Sequence, residues 1–83
     1  MITHNGKKYL TERRRARKDE LIVTLLHLNS DYQEGSVFRV HKEIPELNEV
    51  LVYPEWYEDG MNCFGISVFL DVDDYEVMVE ITE

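Results

Sequence analysis

With Cys63 as its single cysteine, the chain can form no intramolecular disulfide and cannot supply the two-cysteine half of a zinc site. A reducing compartment is the simpler expectation. Long apolar runs are missing too: the longest, 21–28, is interrupted by Thr24 and His27 and is too short to span a bilayer. The first residues lack the apolar segment of a secretory signal. No glycine-rich phosphate loop, nucleophile elbow or zinc-protease helix motif occurs. Beyond residue 18 cations are scarce, only Arg39 and Lys42 remaining. These absences predict a soluble cytoplasmic protein that is not an enzyme, carries no cofactor or resident metal, and has no membrane partner.

What the chain does have is charge, unevenly divided. Residues 1–18 carry seven cations against Glu12, a net +6; the remaining 65 residues carry sixteen carboxylates against Arg39 and Lys42, a net −14; the whole stands at −8. A split of this size points to a charged partner. At 83 residues and 43% hydrophobic content the chain suits a single domain, 1–83. A chain this short buries roughly 60–65% of its unfolded surface, so one core layer is expected.

Two dipeptides organise the local pattern. Asn5-Gly6 predicts a type I′ hairpin over 1–10, because this pair best tolerates two successive residues at positive φ. Thr11 can then cap a helix over 12–28, rich in good helix formers, with Leu21, Ile22, Leu25 and Leu28 in one stripe. The run 21–28 by itself also suits a buried strand. From Gly35 onward the pattern alternates, predicting antiparallel strands across 37–82. A two-residue turn at Asp59-Gly60 sets Leu51 opposite Val68 and Tyr53 opposite Ile66. A similar turn at Asp73-Asp74 sets Leu70 opposite Val77 and Val68 opposite Val79. Both registers put Leu51, Tyr53, Phe64, Ile66, Val68, Leu70, Val77, Val79 and Ile81 on one face. The predicted architecture is α+β: an antiparallel sheet of four or more strands, one helix packed on that face, and a short hairpin before it.

The opposite face would then expose Val50, Val52, Trp56, Cys63, Phe69 and Met78. Such a patch is expected either to lie under the hairpin or to form a homodimer or partner interface anchored by Trp56 and Phe69. The acidic residues Glu55, Glu58, Asp59, Asp71, Asp73, Asp74, Glu76 and Glu80, with Tyr57, complete the candidate partner-binding surface. Fixed on a sheet, these carboxylates could occupy a basic groove that otherwise holds nucleic acid. The basic run offers the alternative. Arg13, Arg14, Arg17 and Lys18 fall on one helical side and either pair with the acids of the same molecule or hold phosphates, which would make a nucleic-acid-associated regulator. No aromatic residue interleaves these arginines in sequence. The carboxylates of 71–76 lack EF-hand spacing, and His4, His27, His41 and Cys63 lack that of zinc ligands.

No motif ties the chain to one family. In size, acidity and compactness it resembles the small inhibitors that viruses and mobile elements direct against host defence, anti-CRISPR and anti-restriction proteins among them. That resemblance implies a non-enzymatic protein that blocks or modulates a larger basic-surfaced protein or nucleoprotein complex.

Overall fold

A computed structural model describes residues 1–25, 34–57 and 67–82. Seven strands form one antiparallel sheet: β1 (Ile2–His4), β2 (Lys7–Glu12), β3 (Leu21–Thr24), β4 (Val37–Ile44), β5 (Glu49–Pro54), β6 (Val68–Asp71) and β7 (Tyr75–Glu80). Their order is β1-β2-β7-β3-β4-β5-β6. Two short 3₁₀ turns, Pro45–Leu47 and Val72–Asp74, link β4 to β5 and β6 to β7. The fold is all-β, and the expected α+β architecture with a packed helix is overturned, since the described residues contain no α-helix.

The predicted helix over 12–28 fails for a specific reason. Glu12 ends β2, residues 13–20 run as an irregular loop, and Asp19 takes a left-handed φ of 73°. Leu21 then opens β3, which is hydrogen-bonded to β7 on one side and β4 on the other. Ile22, Val23 and Thr24 are all buried although they point alternately to the two faces. A strand covered on both faces has no polar side and reads as a continuous apolar run, which fits a helical stripe as readily as a strand. The β-branched side chains at 22–24 favour the extended form. Residues 26–28, the end of the expected helix, lie outside the described residues.

The sheet is rolled. Asp71 ends β6 at one edge, and Tyr75 opens β7 four places away in the strand order. In a flat sheet these positions would be about 19 Å apart, whereas the link between them spans at most about 14 Å. Asp71 caps the tight 3₁₀ turn: its side chain accepts from Asp73 N at 3.1 Å, and Asp74 Oδ2 accepts from Asp71 N at 3.3 Å. The expected β6–β7 hairpin is therefore absent. The two strands are joined by a turn without pairing, and β7 lies between β2 and β3.

Inside the roll, Ile22, Phe38, Val40, Val50, Val52, Leu70, Tyr75 and Val77 form the main core, closed at one end by fully buried Ala16 of the 13–20 loop. Ala16 N donates to the Tyr75 hydroxyl at 3.0 Å, and burial raises the Tyr75 phenol above its ordinary pKa. The loop is thus pinned to the core by a hydrogen bond that would be costly to leave unmade. The pairing of β5 with β6 runs Val50↔Leu70, Leu51↔Phe69 and Val52↔Val68, one residue from the predicted register. A slip of one turns every side chain of a strand over. Val50 and Val52 accordingly belong to the core, and Leu51 and Tyr53, expected in the core, lie on the outer face. Leu70 and Val77 are core residues, with Val68 and Val79 packed against them. Phe64, Ile66 and the Asp59-Gly60 turn lie outside the described residues.

On the outer face Tyr9, Val23 and Met78 make a second cluster with Ile2, Leu21 and Val37 around it. The β1–β2 hairpin contributes Tyr9 and Ile2 to it and turns at Asn5 and Gly6, both at positive φ (52° and 79°), which is the type I′ geometry. His4 at the hairpin tip reaches across to Glu55, its Nε2 lying 2.7 and 2.9 Å from the two carboxylate oxygens. Among the described residues no helix is long and apolar enough to cross a membrane.

Candidate functional site

The best-formed hollow on the described surface is a cleft of about 340 Å³ between the 13–20 loop and the outer face of β4 and β5. Backbone hydrogen bonds fix one wall: Asp19 N donates to Val40 O and Val40 N to Glu20 O, both at 2.9 Å. Arg39 Nη1 donates to Asp19 O at 2.9 Å. These bonds extend the β3–β4 pairing into the loop and hold Lys18 and Arg39 over the cleft.

The floor is aromatic. Tyr53 and Tyr57 are stacked with ring centres 4.3 Å apart and planes 12° apart. His41 meets Tyr53 edge-on at 4.7 Å. Tyr57 reaches this position through a turn at 54–57, closed by Tyr57 N donating to Pro54 O at 3.0 Å. Glu55, on the rim, is engaged by His4 from the hairpin. Trp56, between two lining residues, is 57% exposed.

His41 owes its place to an irregularity in β4, where the pairing with β5 shifts between Val40 and Lys42. Strict alternation after Phe38 and Val40 would carry Lys42 into the core. The bulge returns Lys42 to the outer face beside Leu51 and lets His41 lean on Tyr53. Sequence reasoning missed His41, Arg39 and Tyr53 as site residues, although a lysine at an inward position was the available signal.

The predicted site residues are only partly brought together. Glu55, Trp56 and Tyr57 share the 54–57 turn. Asp71, Asp73 and Asp74 sit at the other end of β5, because Asp71 is opposite Glu49, about 17 Å along the strand. Asp71 therefore faces Glu49 and not Glu76. Phe69, 58% exposed, lies on β6, the last strand of the described order, opposite Leu51. With Val50, Val52 and Met78 all buried, the broad uncovered face expected from the sequence shrinks to this neighbourhood. Glu76 lies 3.9 Å from Arg13 and Glu80 3.2 Å from Lys7. Glu58, Asp59 and Cys63 lie outside the described residues. Among the described residues no three His, Cys, Asp or Glu side chains gather as metal ligands.

The basic run is likewise divided. Arg14 is consumed internally, donating through Nη1 and Nη2 to the two oxygens of Glu20 at 2.9 and 2.8 Å and through Nε to Glu12 at 2.8 Å. Arg17 N also donates to Glu20 at 2.7 Å. The Arg14 hydrogen bonds, helped by that backbone donor, hold the Glu20 carboxyl below its ordinary value of 4.5. A carboxyl with a depressed folded-state pKa stabilises the protein fully above its unfolded value and loses that contribution as pH falls through the folded value. Glu20→Gln should therefore cost about 1 kcal/mol near neutrality and flatten the loss of melting temperature below about pH 4.5. Equal acid sensitivity in the variant and the parent would contradict this. Arg17 and Lys18 are exposed and make no side-chain ion pair among the described residues.

No protein-family model, no curated protein and no solved structure matches the chain.

Proposed function

We propose that the protein is a small non-enzymatic binding protein that modulates a larger protein or nucleoprotein complex, with the 54–57 turn and its cleft as the working surface. One observation carries this reading: a largely exposed tryptophan stands beside a stacked tyrosine pair on a turn that the rolled sheet and the His4–Glu55 contact hold in place. Aromatic side chains already ordered before binding lose little entropy on docking and dominate binding hot spots. Glu55 supplies an acidic edge to that surface. At the far end of β5, exposed Asp73, beside the turn-capping carboxylates of Asp71 and Asp74, offers a second acidic point to a basic region of a large partner.

The second reading, association with nucleic acid, is favoured by Lys18 and Arg39 lining the same cleft. The arginines do not alternate with aromatic residues in sequence, but folding brings three rings to the side of the basic loop.

The test is affinity capture of a partner on immobilised protein. The Trp56→Ala/Tyr57→Ala double variant should retain its melting temperature and bind the partner at least about a hundredfold more weakly. Phe69→Ala should bind normally. Undiminished capture by the double variant would refute the assignment of this surface.

A further inference from the structure

We propose that the cleft binds an unpaired nucleic-acid strand, with a base stacked on the Trp56–Tyr57 turn and the backbone phosphates running past Lys18 and Arg39. The inference rests on the reading of this surface as the binding site and specifies its ligand.

Three features select this chemistry. Rings at the cleft floor and on its turn offer stacking surfaces for planar groups, and stacking tolerates any base because every base has a π-face. Lys18 and Arg39 border the same rings from a wall fixed by backbone hydrogen bonds; of the two carboxylates in the same lining, Glu55 is engaged by His4 on the rim and Asp19 lies on the loop wall, so a ligand with planar groups joined by anionic links meets rings and cations together on the Lys18–Arg39 side. A peptide strand has less to bind. β4 is paired with β3 and β5, and β5 with β4 over its length and with β6 over Glu49–Val52, so the described ladders already engage most of the backbone of both strands. A duplex would hide its bases from the rings.

The full chain is titrated into an end-labelled oligothymidylate of about ten nucleotides, a length within the span of known single-strand sites. Anisotropy and the emission of Trp56, the sole tryptophan, are followed together. Saturable binding with quenching of Trp56 is expected. Affinity should fall about tenfold between roughly 50 and 200 mM salt, as two or three phosphate contacts require. A duplex of equal length should bind more weakly. Tyr57→Ala should lose roughly tenfold in affinity through lost stacking, and Lys18→Ala should reduce the salt dependence without changing the melting temperature.

Absence of binding at the lowest salt would overturn the proposal. So would equal affinity for the duplex, or wild-type binding by both variants. Binding of a proline-rich or acidic peptide in place of the oligonucleotide would overturn the ligand class while leaving the surface assignment intact. If Trp56→Ala/Tyr57→Ala loses its macromolecular partner yet no oligonucleotide binds the parent, the strand inference alone fails. If the double variant captures the partner normally, the surface assignment fails with it.

Discussion

Phe38→Ala is expected to destabilise the protein by about 3–5 kcal/mol, the range for removing a large buried aromatic ring. Phe38 is fully buried in β4, with Ile22 opposite it on β3 and Pro54 opposite it on β5. Its ring belongs to the cluster that joins β3, β4, β5, β6 and β7, so the roll encloses a void when it is cut back. Domains of this size have only about 5–15 kcal/mol in total. The melting temperature should drop by roughly 15 °C or more, and the urea midpoint should fall with little change in slope. A loss below about 1 kcal/mol would mean that the core is centred elsewhere.

The second large effect separates the sheet from the helix that the sequence suggests. On a helix with Leu21, Ile22, Leu25 and Leu28 as its buried stripe, Val23 faces water, and Val23→Lys would change stability by no more than about 0.5 kcal/mol. In the rolled sheet Val23 lies on the outer face, 8% exposed, clustered with Tyr9 of the hairpin and Met78. Placing an ammonium there forfeits the valine's burial and forces the hairpin to open or the charge to lose water. The expected cost is roughly 2–4 kcal/mol, with loss of the β1–β2 packing. Chemical denaturation measures the cost, and faster amide exchange in 2–9 reports the loosened hairpin. Wild-type stability in this variant would contradict the two-sided burial of β3.

These cases show which parts of the fold were legible. The Asn5-Gly6 turn could be read directly because its cause is local: two residues must adopt positive φ, and few dipeptides do so cheaply. The alternation in β7 was equally readable, and it put Val77 inward and Met78 outward. The register of β5 was not readable, because Val50, Leu51, Val52 and Tyr53 are apolar on both faces and either parity gives an acceptable core. The 21–28 run was ambiguous for the same reason, since a strand buried on both sides loses the period that identifies it.

The candidate site was half visible. Glu55, Trp56 and Tyr57 could be singled out from composition, being aromatic and acidic residues at the end of the strand predicted to lead into the Asp59-Gly60 turn, but the turn at 54–57 itself was not foreseen. Tyr53 was assigned to the core through the slipped register. His41 and Arg39 drew no attention because their role depends on a bulge and on a loop distant in sequence. Arg14 was grouped with Arg17 and Lys18 as one helical face. Its carboxylate partners, Glu12 and Glu20, became visible only once the loop was seen to turn back on itself.

By itself, the sequence determined a small acidic chain with its cations gathered near one end, no intramolecular disulfide, a hairpin at Asn5-Gly6, and a set of β-branched and aromatic residues that must be buried. Each of these follows from composition or from contacts within a few residues. Tertiary structure decided that β7 enters between β2 and β3, that the sheet rolls on the short link after Asp71, and that Lys18 and Arg39 stand over Tyr53 and Tyr57. Such placements depend on pairings between residues far apart in the chain. Local propensity is nearly indifferent among those pairings, and the competition is settled by which arrangement closes a dry core while satisfying the backbone.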